Sequence, residues 1–170
     1  MAGPHVLIIG MMGVGKTTTG LALAEEIGWP YLDSDADIEL LTGSTGREIA
    51  ERQGVEALHE LEAALLLGAL ARSTPHVITA AASVVENDLV RLAVPRRSVV
   101  GRLDLAVELM LARHATGSHR RAMDADEVRE LAKRREPLFC ELEDIRLDAS
   151  EAVGTLVTSL IGEITAKGLF

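Results

Sequence analysis

A chain of 170 residues, 48% of them hydrophobic, has the length of one domain and can bury a core without help from metals or disulfides. Its net charge of −9 argues against a nucleic-acid surface, its 2% aromatic content leaves few platforms for stacking bases, and its longest apolar run, Ala63 to Ala71, has about half the length of a membrane span. Cys140 is the one cysteine, so no intramolecular disulfide forms, and the N-terminal apolar residues read as a strand and not as a signal peptide; the expectation is a cytoplasmic protein without a membrane segment, a monomer by default.

In chain order, the β-type run His5–Ile9 leads into Gly10-Met11-Met12-Gly13-Val14-Gly15-Lys16-Thr17, and a helix-like segment runs on from Thr18 to Ile27. Strand, glycine loop and helix in that order make a phosphate loop. Glycines at 10 and 15 let the backbone curl and aim several N–H groups at one point, to which the helix adds its positive end. Lys16 reaches the β- and γ-phosphates, and the Thr17 hydroxyl suits a Mg²⁺ that keeps most of its waters. The chain has three lysines against 14 arginines, so a lysine here is not background. Gly13, Val14, Gly15, Lys16, Thr17 and Thr18 are the candidate nucleotide-binding residues.

The second β-type run, Tyr31–Asp33, ends in Asp33-Ser34-Asp35. Residues two apart in a strand face the same side, so both carboxylates are expected beyond the strand's C-terminal edge, where open α/β sheets bind ligands. A carboxylate there accepts a proton from an acceptor hydroxyl or holds Mg²⁺ through water. The alternative is that one of them caps a helix beginning near Ala36, with Asp37 part of its first turn. Thr45 to Glu48 has capping-box spacing for a short helix ending near Gly54, and a longer helix is expected over 55–72.

Further β-type runs follow at Val77–Thr79, Ser98–Val100 and Ile145–Leu147. Asp124 to Glu127 repeats the capping spacing before a segment that ends near Arg135, ahead of Pro137. Val153, Leu156, Val157, Leu160, Ile161 and Ile164 recur at helical steps, closed by Gly168. Strands alternating with helices define an α/β fold, a parallel sheet covered on both faces. The stretch from His114 to Met123, rich in His, Gly, Ser and Arg, fits neither pattern and reads as a mobile loop. Its Arg120-Arg121 suits delivery of positive charge to a transferring phosphoryl group, as does Arg134-Arg135, although such pairs are also common as solvated surface. Arg113 can lay its guanidinium over a purine.

Together these motifs resemble the shikimate kinases, small phosphate-loop kinases of the nucleoside-monophosphate-kinase type. The resemblance runs through Gly10 to Thr17, Leu32-Asp33-Ser34-Asp35, Ile38-Glu39, Thr42-Gly43, Glu48-Ile49, Leu58-His59-Glu60-Leu61-Glu62, Arg120, and Arg135-Glu136-Pro137-Leu138-Phe139. It implies a three-layer fold with a five-stranded parallel sheet flanked by helices, a single kinase domain over 1–170 with a lid at 114–124, and ATP with Mg²⁺. For individual residues it implies Lys16 and Thr17 on the nucleotide, Asp33 and Thr17 near magnesium, and Asp35 on the acceptor hydroxyls. Arg120 becomes the lid arginine, Arg135 binds the acceptor carboxylate and Arg113 lies against adenine. Lys16, Asp35 and Arg120 carry catalysis.

The departures from the family pattern gather around the acceptor. Leu58-His59 stands for Phe-Arg at the start of the long helix, and Ala80-Ala81-Ala82 for three glycines after the third strand. In the lid, Arg120-Arg121-Ala122-Met123 replaces Arg-Pro-Leu-Leu. A histidine is shorter than arginine and about half charged only near pH 6.5, so carboxylate recognition is expected to weaken. Three methyl groups are expected to crowd the pocket, and alanine resists the positive φ that glycine allows. The acceptor is then expected among Asp35, His59, Ala81 and Arg135, unless His59 simply pairs with Glu62 one turn on. The leading expectation is an ATP-dependent kinase acting on a hydroxyl of shikimate or a related cyclitol, polyol or hydroxy acid. The alternatives are a nucleotide-binding sensor that has lost transfer and a kinase acting on a nucleotide.

Overall fold

Strand β1 (His5–Ile9) is buried at every position, the pattern of a strand covered on both faces, and it forms the middle of the sheet. A computed structural model describes residues 4–116 and 124–169, with side chains described for 4–113 and 124–169. Of the expected lid, 114–116 are the end of a helix and not loop, while Arg120 and the rest of 117–123 lie outside the described residues. After β1 come α1 (Lys16–Ile27), β2 (Tyr31–Asp33), α2 (Ser34–Thr42), α3 (Gly46–Gln53), α4 (Val55–Leu70) and β3 (Val77–Thr79). A single 3₁₀ turn (Ala82–Glu86) leads to α5 (Asp88–Arg97), β4 (Ser98–Asp104), α6 (Val107–Thr116), α7 (Ala125–Leu142), β5 (Ile145–Asp148) and α8 (Val153–Ala166).

The five strands pair in parallel in the order β2-β3-β1-β4-β5, the expected architecture. Because β1 is central and its C-terminal end carries the glycine loop, the loop opens between two half-sheets, β3 and β2 on one side and β4 and β5 on the other. Such a reversal of strand order is where open α/β sheets make a crevice. The capping box at α3 forms as its spacing predicts: Glu48 accepts from the Thr45 N–H at 2.7 Å, and Thr45 Oγ1 accepts from the Glu48 N–H at 3.2 Å.

Two elements outrun their sequence signals. Strand β4 does not stop at Val100 but continues through Gly101 and Arg102 to Asp104. Gly101 faces α8 so closely that a Cβ there would sit 2.4 Å from Leu160 Cδ2. Arg102 is buried with its guanidinium 5.0 Å from the Phe139 ring centroid, donating to Asp104 and Glu136 at 3.1 Å and Glu143 at 3.2 Å. A buried charge is tolerated when it is paired in this way. Helix α7 does not end near Arg135 but runs through Pro137 to Leu142. The proline costs about 3 kcal/mol in a helix interior. Beyond it, Phe139 and Leu142 are 1% and 5% exposed, and their burial is of comparable size or larger.

The contact of α8 with β4 concentrates on Leu160, 1% exposed above Gly101. Leu160→Ala is expected to lower stability by about 2–5 kcal/mol, read as a shifted midpoint in urea with the slope unchanged.

Candidate active site

The loop is shaped by its glycines. Gly10, Gly13 and Gly15 all have positive φ, of 149°, 77° and 99°. At Gly10 a Cβ would meet the carbonyl oxygen of Leu103 at 2.5 Å, so only glycine lets β1 turn there against β4. Val14 is 2% exposed, its side chain turned into the core, so it can meet a phosphate only through its backbone. Gly15 precedes α1 without any side-chain cap, which leaves the first-turn N–H groups without a side-chain acceptor and suited to phosphate oxygens. Lys16 Nζ donates to the carbonyls of Gly10 and Met11, each at 2.9 Å, and these hold the ammonium at the loop.

Facing the loop, Thr17 Oγ1 donates to Asp33 Oδ2 at 2.8 Å, and Tyr31 Oη donates to the same oxygen at 2.9 Å while lying 2.7 Å from Thr79 Oγ1. Gly20 allows this closeness, since a Cβ there would lie 2.5 Å from Thr79 Cγ2 and 2.8 Å from Tyr31 Cε2. Burial works against the Asp33 charge, but the hydroxyls of Thr17 and Tyr31 and the Asp35 N–H outweigh it and hold the carboxyl below its ordinary range. Burial pushes the Tyr31 phenol up, keeping it protonated as a donor. A Mg²⁺ fits this donor set: the Thr17 hydroxyl gives its proton to Asp33 and keeps a lone pair for the ion, and Asp33 is anionic and able to hold the ion's water. Among the described residues no group of three or more His, Cys, Asp and Glu converges to cage an ion, consistent with a metal held chiefly by water and phosphate.

Asp33 and Asp35 do not share a strand face. The strand stops at Asp33, which caps α2 by accepting from the Asp35 N–H at 2.9 Å, and Asp35 sits in the first turn of that helix. The cap expected of one of the two aspartates is Asp33, the same carboxylate that accepts from Thr17. The helix turn, not strand alternation, carries Asp35 into the same hollow. That hollow has a volume of about 870 Å³, and Lys16, Thr17, Asp33, Asp35, His59 and Arg135 all line it.

The acceptor side differs from expectation in several ways. Ala80, Ala81 and Ala82 all line the hollow, but without strain: Ala81 has φ −59°, and no described non-glycine residue has positive φ. The methyl groups reshape the wall at no backbone cost. His59 does not pair with Glu62. Instead the Ser83 hydroxyl donates to Glu62, which is 7% exposed, and no hydrogen bond among the described residues involves His59. Burial, reinforced by the positive charge of Arg135, holds His59 below its ordinary pKa and so neutral at pH 7.

Arg135 is buried as a site arginine should be, at 2% exposure, but it is occupied: Nε and Nη2 both donate to Glu86 Oε2, at 3.1 and 2.9 Å. Arg134 Nε donates to the other oxygen at 2.6 Å. Ser83 and Glu86 were invisible to motif reading, and Glu62 was read only as part of the Leu58 to Glu62 run and as a partner for His59. The one signal was Glu62 itself, a carboxylate in an otherwise apolar helical stretch. Arg113 is on the other side of the loop, on α6, with Nη2 donating to the Ala149 carbonyl after β5 at 3.2 Å. It does not line the acceptor hollow, as suits a residue for the nucleotide's far end.

Burial pushes the Glu62 carboxyl up, the Ser83 hydrogen bond offsets this in part, and the charge of Asp35 adds to it. A carboxyl raised above its unfolded value of 4.5 contributes most to stability below that pH and loses the contribution as pH rises through the folded value. Glu62→Gln is therefore expected to gain stability relative to the parent on going from pH 5 to pH 8. Parallel urea curves at the two pH values check the sign.

A glycine loop on a central parallel strand, an adjoining lysine and hydroxyl, and a carboxylate across a shared hollow define a phosphate-loop phosphotransferase. The shikimate kinase family model matches residues 12–165. The chain belongs to the shikimate kinase family. It is 31% identical to the shikimate kinase of Acinetobacter baylyi over 97% of its length and 94% of that protein's. Among solved structures, a shikimate kinase from Acinetobacter baumannii in complex with shikimate superposes with a TM-score of 0.88 at 28% identity, covering 98% of this chain and 96% of that one. The Aquifex aeolicus shikimate kinase shares the fold, with a TM-score of 0.84 at 21% identity over 97% and 98% of the two chains.

Proposed function

We propose that the chain is an ATP-dependent kinase that transfers the γ-phosphoryl group to a hydroxyl of shikimate or a related cyclitol, polyol or hydroxy acid. The observation that carries this is that the phosphate loop and Asp35 line one and the same hollow, because phosphoryl transfer requires donor and acceptor to meet in one space. The loop amides and Lys16 bind and orient the triphosphate. Asp35 accepts the proton of the attacking hydroxyl, and His59, Ala81 and Arg135 shape the space in which the acceptor sits. Thr17 and Asp33 hold Mg²⁺, which when bound neutralises charge on the phosphate oxygens. The chain acts as one domain over 1–170, with 114–124 as a lid whose Arg120 meets the phosphates and Arg113 against the base. Magnesium–ATP as donor places the work in the cytoplasm. Among the described residues no helix is long and apolar enough to cross a membrane.

The test is ADP release in a coupled assay over shikimate, cyclitols, sugars and hydroxy acids. Acceptor-dependent release supports the kinase. Tight nucleotide binding with no release on any acceptor would leave a nucleotide sensor, and release only with nucleoside monophosphates would leave a nucleotide kinase.

A further inference from the structure

The geometry points to Glu86 as an internal stand-in for an acceptor carboxylate, so that the alcohol this chain phosphorylates is an uncharged polyol and not a hydroxy acid. This rests on the kinase reading above and narrows its substrate class.

Arginine recognises a carboxylate by presenting two parallel N–H groups. Among the described residues the one buried arginine lining the hollow is Arg135, and its Nε and Nη2 edge is already taken, both groups donating to Oε2 of Glu86. The carboxylate is held in place from three directions. Arg135 and Arg134 bind its two oxygens, and its backbone ends the 3₁₀ turn whose Val84 and Val85 are 1% and 0% exposed. Swinging Glu86 aside would break both ion pairs and disturb a buried turn. Although burial opposes its charge, the two arginines keep Glu86 below the usual carboxylate range and hence ionised.

A second carboxylate brought to Arg135 would lie beside Glu86 and repel it. The other charges around the hollow do not compensate. His59 is neutral, Arg47 pairs with Glu51 at 2.8 Å, and Lys16 is drawn to the loop carbonyls on the donor side. Asp35 and Glu39 on the walls add negative charge. What the pocket does offer suits hydroxyls. Asp35 accepts, and neutral His59 presents one donor and one acceptor nitrogen. The methyl groups of Ala80 to Ala82 give an apolar wall for the C–H face of a polyol.

A matched pair of probes isolates the charge: shikimate and its methyl ester carry the same ring and hydroxyls and differ by one negative charge. Each is titrated calorimetrically into the full chain with ADP and Mg²⁺. The parent is expected to bind the ester at least as tightly as the acid. Glu86→Ala, which opens the Arg135 fork, is expected to tighten the acid by about tenfold or more while leaving the ester little changed. Tighter binding of the acid by the parent, or binding of neither probe, overturns the inference, and this comparison decides it even if Glu86→Ala fails to fold. ADP release is scored separately. Ester bound but no acceptor phosphorylated keeps Glu86 as the occupant of Arg135 and overturns the kinase reading, and with it the polyol as substrate; acid bound more tightly and phosphorylated keeps the kinase reading and overturns the role of Glu86.

Discussion

Lys16→Ala is expected to lower acceptor-dependent ADP release by about 10²–10³-fold, the usual loss when one preorganised positive donor to a developing phosphoryl charge is removed. The ammonium is held at the loop by the Gly10 and Met11 carbonyls, so no long rearrangement is needed before it can meet a phosphate. Its removal deletes two partly exposed hydrogen bonds from a loop whose shape is set by glycine backbone angles, and the effect on folding is expected to be about 1 kcal/mol or less per bond. Chemistry and stability are thereby separable. The decisive measurement is kcat beside the ATP dissociation constant: weaker ATP binding with kcat within a few-fold of the parent would mean that Lys16 binds ground state and transition state alike.

Asp35→Asn is expected to reduce kcat by about 10²–10⁴-fold, the range for loss of a positioned general base, with the KM for ATP little changed. Position supports this division of labour. Asp35 faces the hollow from the first turn of α2, whereas Asp33 is committed to Thr17, Tyr31 and the α2 cap. The substitution also removes a negative charge from a helix N-terminus, worth about 0.3–1 kcal/mol, which a melting curve measures independently of turnover. A raised KM for ATP with unchanged kcat would move Asp35 to the donor side and refute its role as base.

The donor half of the site was legible because its chemistry is local. Glycines at 10, 13 and 15 and the lysine and threonine that follow adjoin in the chain, and the positive φ of all three glycines is the loop shape that their spacing suggests. The sheet was legible for a similar reason: buried parallel strands are short apolar runs, and β1, β2 and β3 have the bounds that their sequence suggests. Reading failed where meaning depends on a distant partner. Arg135 and Glu86 are 49 positions apart, and no motif announces that one occupies the other. His59 is neutral because it is buried near Arg135, not because of its neighbours in sequence. Pro137 looked like a helix end because the burial of Phe139 and Leu142 beyond it is a tertiary fact. The Asp33-Ser34-Asp35 turn misled in a smaller way, since a capping aspartate ends a strand and starts a helix with the same residue.

The strand order β2-β3-β1-β4-β5 has a consequence for how such an enzyme can change. On the proposed reading its two substrates would be served by opposite half-sheets: Arg113 and the turn after β5 lie on one side of the loop, and α4 with the turn after β3 lies on the other. Every departure from the family pattern among the described residues, at Leu58, His59 and Ala80 to Ala82, falls on the second side. The architecture is therefore modular in the evolutionary sense. Drift or deliberate grafting of two short segments, 55–62 and 80–86, can retune acceptor choice while the energy-coupling half is inherited intact.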